Sequence, residues 1–127
     1  MDHDQVNRWL ADYVEAWKSY DRDQIAALFS AHAEYRYHPA DEPIRGRDAV
    51  VGAWLGDGDH ADASSRDAEG TYDAEYRAIA VDGNLAVATG ASTYTKPEAV
   101  YDNCFVIRFD SDGRCSEFTE WFVKRPS

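Results

Sequence analysis

Asn103 and Glu120 are the two residues of this sequence whose types and spacing best suit chemistry. Residues 100–109 and 114–123 alternate as two strands joined by Asp110-Ser111-Asp112-Gly113. If Phe109 pairs with Arg114, Phe105 faces Phe118, Tyr101 faces Phe122, Ile107 faces Ser116 and Asn103 faces Glu120. Side chains alternate along a strand, so all of these share one side of the sheet. The opposite side carries Asp102, Cys104, Val106 and Arg108 against Trp121, Thr119, Glu117 and Cys115. The first set is the more apolar and is expected to face the core, with a bulge at the turn able to shift the pairing.

Glu120 inside an apolar wall would have a raised pKa unless Asn103 stabilises its charge, which makes it a candidate general acid or base. The alternative is a solvent-facing Asn–Glu pair at the rim of the sheet. In this register Cys104 and Cys115 lie about four ladder steps apart, roughly 13 Å at strand rise. A disulfide needs Cα atoms within about 7 Å, so both are expected as free thiols. The four His include no spaced cluster, so no zinc site is expected. Asp57, Asp59 and Asp62 lack the Gly and distal Glu of a calcium loop at their required positions.

The elements that must position this pair follow from periodicity. Val6, Trp9, Leu10, Tyr13, Val14 and Trp17 mark one helical face, with Asp2 or Asp4 as its cap. Asp21 with Gln24 resembles a capping box, and Ile25, Leu28 and Phe29 form the stripe of a short second helix. A strand over 33–37 ends at Pro39, a loop covers 41–46, and a third helix over 48–55 buries Val50 and Trp54. Residues 56–71 are polar and aperiodic, a loop or ragged strand. Another hairpin joins 72–81 to 84–95 through Asp82-Gly83. The expected architecture is α+β: three N-terminal helices packed on a curved, mainly antiparallel sheet, in one domain spanning 1–127. Trp9, Trp17 and Trp54 are expected as core residues rather than cofactor contacts.

The net charge of −11 removes the basic footprint that nucleic-acid or anionic-membrane binding requires. It reads as a solvated acidic surface, with salt adaptation as the sharper alternative. No apolar run approaches the roughly 20 residues of a membrane span. The acidic start Met1-Asp2-His3-Asp4 lacks a signal peptide's basic region, so a cytoplasmic protein is expected.

Tyr13-Val14-Glu15-Ala16-Trp17, Asp21, Ile25-Ala26-Ala27-Leu28-Phe29, Ala33, Pro43 and Gly46 resemble the opening of the nuclear-transport-factor-2-like superfamily. Ile107-Arg108-Phe109-Asp110, Gly113-Arg114 and Phe118-Thr119-Glu120-Trp121 are similar to the ending of its SnoaL-like branch, with the ketosteroid-isomerase-like branch also near. The resemblance implies a cone-shaped fold around a hydrophobic pocket and a homodimer joined through the sheet. Tyr13 matches the oxyanion-donating Tyr of a ketosteroid isomerase. The isomerase's general-base Asp falls on Tyr37, or on His38 if the alignment slips by one, and its second Asp falls on Phe105. Imidazoles ordinarily titrate near neutrality, so His38 could act alone, or simply cap the strand end. Glu120 matches the last-strand Asp of limonene-type epoxide hydrolases, without an Asp–Arg partner on 84–95.

Two readings follow. One is an isomerase, cyclase or hydrolase working by acid–base catalysis without a cofactor, through Glu120, Tyr13 and Tyr37 or His38. The other is a non-catalytic ligand-binding or dimerisation domain of the same fold. Either would take a small apolar or partly polar organic ligand, with Trp17, Trp54, Tyr101, Asn103, Phe105 and Phe118 as contacts.

Overall fold

The computed structural model describes residues 1–56 and 67–126. The calcium-loop resemblance at Asp57, Asp59 and Asp62, and His60, therefore lie outside the described residues. Helices α1 (His3–Ser19), α2 (Arg22–Ala27) and α3 (Arg47–Leu55) accompany strands β1 (Phe29–Arg36), β2 (Ile44–Arg45), β3 (Tyr72–Asp82), β4 (Leu85–Thr95), β5 (Glu98–Phe109) and β6 (Cys115–Lys124). The strands form a six-stranded sheet ordered β2-β1-β6-β5-β4-β3. Among the described residues only the β1–β6 pairing is parallel. No helix among the described residues is long and apolar enough to cross a membrane.

Helix α1 starts at Asp2 with a complete capping box. The Gln5 amide N–H donates to Asp2 Oδ1 at 2.8 Å, and the Asp2 N–H donates to Gln5 Oε1 at 2.9 Å. Its buried face runs Val6, Trp9, Leu10, Tyr13 and Val14. It stops at Tyr20, whose left-handed φ of 49° ends the hydrogen-bond ladder. Only half of the expected box forms at α2: Asp21 accepts from the Gln24 N–H, while the Gln24 side chain accepts from Ser19 instead.

Several boundaries differ from expectation. Phe29 belongs to β1, because its backbone is drawn into pairing with Cys115 of β6. Ile44 and Arg45, expected in a loop, add a short strand beside Tyr35 and Glu34. The hairpin turn after β3 is Gly83-Asn84, since Asp82 still pairs with Leu85; Gly83 supplies the positive φ of 59°. Strands β4 and β5 also pair, so β3 to β6 run as a continuous antiparallel meander.

The β5–β6 register corrects the simple count. Phe109 pairs with Cys115, and Arg108 with Glu117 across a bulge. Phe105 then faces Glu120, Ile107 faces Phe118, Tyr101 faces Lys124, and Asn103 faces Phe122. The slip from the expected pairs totals two residues. Because the side-chain period is two, it leaves Asn103, Phe105, Phe118 and Glu120 on the same face. The cysteines do change partners. Cys104 sits opposite Trp121, and the bulge turns Cys115 into the core beside Phe109. Both are free thiols.

Candidate active site

Helix α1 lies across the inner face of the meander, and α3 packs on β1; between them lies a cavity of about 480 Å³. Tyr13 and Trp17 reach it from α1, one helical turn apart on the apolar stripe. Trp54 enters from α3, and Tyr37 from the residues just after β1. The sheet contributes Tyr101, Asn103 and Glu120 as expected, together with Tyr35, Tyr76, Ser92 and Tyr94, which the sequence did not single out.

Three expected site residues do not line the cavity. Phe105 and Phe118 are fully buried beneath it. The Phe118 ring stacks on Tyr35 at 4.6 Å and on Tyr13 at 5.4 Å, and lies 4.8 Å from Phe105. These rings support the wall from below. His38 is exposed: β1 ends at Arg36, and the chain turns so that the imidazole packs on the Phe122 ring at 4.9 Å.

Gly90 opens the space for Tyr76. A Cβ at Gly90 would overlap the Glu75 carbonyl oxygen and come within 2.6 Å of Tyr76 Cδ1. Tyr76 pairs with Gly90, which pairs in turn with Asn103, so the ring lies two strands from the amide.

The polar centre is a directed chain. Ser92 Oγ donates to Asn103 Oδ1 at 3.0 Å, and Asn103 Nδ2 donates to Glu120 Oε2 at 2.8 Å. Asn103 and Glu120 are diagonal neighbours rather than direct partners, a separation their side chains bridge. Ser92 and Asn103 are the buried polar side chains among the described residues, at 4% and 6% exposure, and both serve this carboxylate. The Ser92 hydroxyl fixes the amide's orientation, so its N–H faces Glu120. Glu120 Oε1 has no hydrogen-bond partner among the described residues and is available to a ligand.

Burial pushes the Glu120 pKa up to about 7, against the opposing pull of the Asn103 amide. Buried Tyr13 and Tyr35 are raised well above their ordinary range by desolvation. The negative charge of Glu120 also raises Tyr13, Tyr35, Tyr37, Tyr76 and Tyr94, after burial as the first cause. These phenols stay protonated and act as donors. The Tyr13 and Tyr35 hydroxyls lie 2.8 Å apart, and only one hydrogen is used between them. At the other side of the cavity Trp17 Nε1 donates to Asp67 Oδ2 at 3.1 Å. Burial raises the pKa of Asp67, with the Trp17 hydrogen bond opposing. Trp54 Nε1 is buried without a partner among the described residues. No group of three or more His, Cys, Asp or Glu among them is placed to hold a metal ion.

Ser92→Ala is expected to free the Asn103 amide and weaken its donation to the carboxylate. The Glu120 titration midpoint, followed by carboxyl-carbon NMR, should rise. Unfolding in urea should show a loss of about 1–3 kcal/mol, the cost of a buried acceptor left unpaired. Ser92→Thr, which keeps the hydroxyl, should restore the midpoint.

No curated protein matches the chain. Among solved structures it is similar to a protein assigned as a ketosteroid isomerase from Kribbella flavida, at 16% identity and a TM-score of 0.69, covering 99% of this chain and 83% of that one. An NTF-2-like protein of unknown function from Burkholderia xenovorans matches at 16% identity and a TM-score of 0.70, over 98% and 87% of the two chains. An LEH-like epoxide hydrolase from M. tuberculosis matches at 16% identity and a TM-score of 0.66, over 95% and 84%. At this identity the likeness is one of fold. The SnoaL-like domain model matches residues 10–118, and the chain belongs to the SnoaL-like domain family.

Proposed function

We propose that the protein transforms a small organic substrate by acid–base catalysis without a cofactor, as an isomerase, cyclase or hydrolase, with Glu120 as the proton-transferring group. The observation that carries this reading is a carboxyl group held by an oriented amide in an aromatic cavity and pushed up to about 7. A general acid or base works best with a pKa near the operating pH. In this reading Oε1 of Glu120 exchanges the proton with substrate. Asn103 fixes the carboxyl plane, and the Tyr13–Tyr35 pair offers its remaining phenol hydrogen to an oxygen that gains charge. Tyr37 is a further donor on the wall. The fold is shared with a protein assigned as an isomerase and with an epoxide hydrolase, whose chemistries need a positioned acid or base. On any turned-over substrate, kcat/KM should show an inflection near pH 7 that Glu120→Gln removes; an unchanged profile would count against the proposal.

Phe105 stands where the resemblance to ketosteroid isomerases would place a second carboxyl group, and it is fully buried. This observation favours the second reading, a binding domain that retains the pocket without chemistry. Under that reading Glu120→Gln changes ligand affinity and no turnover is found.

We also propose a homodimer formed through the outer sheet face. Its cross-strand rows are Val87-Val106-Thr119 and Thr89-Cys104-Trp121, and Val123 extends the face. Trp121 is 43% and Val123 69% exposed. Light scattering at micromolar concentration should give twice the 14.3 kDa chain mass. A 14.3 kDa species alone would contradict it.

A further inference from the structure

Among the described residues the charge of Glu120 has no counter-ion. The groups that face it are Tyr13 from α1, Tyr35 and Tyr37 from β1 and its end, Tyr76 from β3, Tyr94 from β4 and Asn103 from β5. All are neutral or acidic. Among the described residues Lys18, Arg45, Arg108, Arg114 and Arg125 form ion pairs with other acids on the surface. Lys96 is the basic residue on the cavity wall, and it is exposed. Burying an unpaired carboxylate is costly, and a cation placed beside it recovers that cost.

The walls point the same way. Tyr13, Trp54, Tyr76 and Tyr94 line the same cavity as the carboxylate, and ring faces attract cations, most strongly where water is excluded. The chain's net charge of −11 raises the local concentration of cations. An inorganic divalent ion would need several hard donors, and no group of three or more His, Cys, Asp or Glu among the described residues is placed to supply them. An apolar body fits the rings, and a positive nitrogen fits Glu120.

We propose that the ligand of this cavity is an organic cation, a lipophilic ammonium or protonated amine whose nitrogen lies against Glu120 within the aromatic wall. This rests on the reading of Glu120 as the ionisable centre of the site and names the substrate class that the centre would take. Binding such a cation favours the ionised carboxylate, so it releases the proton that Glu120 holds in the empty protein. Affinity therefore rises with pH through the Glu120 titration.

The test compares benzyltrimethylammonium with its uncharged carbon isostere, neopentylbenzene, by quenching of the intrinsic tryptophan fluorescence, to which Trp17 and Trp54 contribute from the cavity wall. At pH 8 the ammonium should bind at least about tenfold more tightly than the isostere. From pH 8 to pH 6 its affinity should fall about tenfold, as the carboxylate with a midpoint near 7 takes up its proton. Glu120→Gln should remove both the preference and the pH dependence. Equal binding of the two probes, or an ammonium affinity indifferent to Glu120, would overturn the proposal. The carboxyl titration of the ligand-free protein separates the two levels. A midpoint near 7 with no preference between probes refutes only the cationic ligand, whereas a midpoint in the ordinary carboxylate range refutes the reading of Glu120 itself.

Discussion

Glu120→Gln should leave the fold in place and lower kcat by about 10²-fold or more, the usual worth of a positioned acid or base. The amide keeps the size of the carboxyl group. Its oxygen can still accept from Asn103 Nδ2, now 2.8 Å from Glu120 Oε2, so the Ser92–Asn103 chain persists. What the variant loses is the ability to gain and release a proton. Circular dichroism and urea unfolding should confirm a folded domain, and kcat at saturating substrate should carry the loss. An unchanged kcat would remove Glu120 from the chemistry. An unfolded variant would make Glu120 a structural hydrogen-bonding residue and strengthen the binding-domain reading.

Phe118→Ala should destabilise the protein by about 3–5 kcal/mol, the range for deleting a large buried aromatic. Phe118 is fully buried, and its ring contacts Tyr35, Tyr13, Phe105 and Trp9 at centroid distances of 4.6, 5.4, 4.8 and 6.2 Å. A void there lets the Tyr13–Tyr35 pair sag and removes part of the cavity floor. The more conservative Phe118→Leu should cost less stability and leave probe affinity nearly unchanged, because Phe118 does not reach the cavity surface. A large affinity change with small stability loss in Phe118→Leu would mean that the ring touches ligand.

The legible part of this site came through strand parity. Asn103 and Glu120 were assigned to the inner face with the wrong cross-strand partners, yet a register error of two residues preserves the face. The compensating bulge beside Arg108 has no glycine to announce it, so the pairing itself was not legible. It also carried Cys115 to the core, where parity had placed it outside. Tyr13 and Trp17 are legible because the 3.6-residue stripe of α1 that seals the core also reaches the cavity at its open end, and Trp54 reaches it from α3. Phe105 and Phe118 were misplaced for a different reason. Face is set by alternation, but depth beneath a wall depends on how α1 and α3 pack, which no local pattern encodes. Tyr76 and Ser92 escaped because alternation does not tell which strands lie side by side. The run Tyr72, Ala74, Tyr76, Ala78 was the available signal. His38 was a matter of one residue: β1 ends at Arg36, so Tyr37 turns inward and His38 outward.

In the proposed reading Glu120 exchanges its proton near neutrality because it is buried without a counter-charge among the described residues. Its folded-state pKa, about 7, lies above the ordinary value of 4.5. The folded protein therefore holds this proton more tightly than the unfolded chain does. Stability from the protonated group is fully present below about pH 4.5 and is lost as pH rises to about 7, a swing of roughly 3 kcal/mol at 1.36 kcal/mol per unit. Glu120→Gln should gain relative stability over the same interval. The most direct measurement is a carboxyl-carbon NMR titration of Glu120 in the ligand-free protein, assigned by its absence in Glu120→Gln. The expected midpoint is near 7. A midpoint near 4.5, with a pH-independent stability difference between the two proteins, would contradict it.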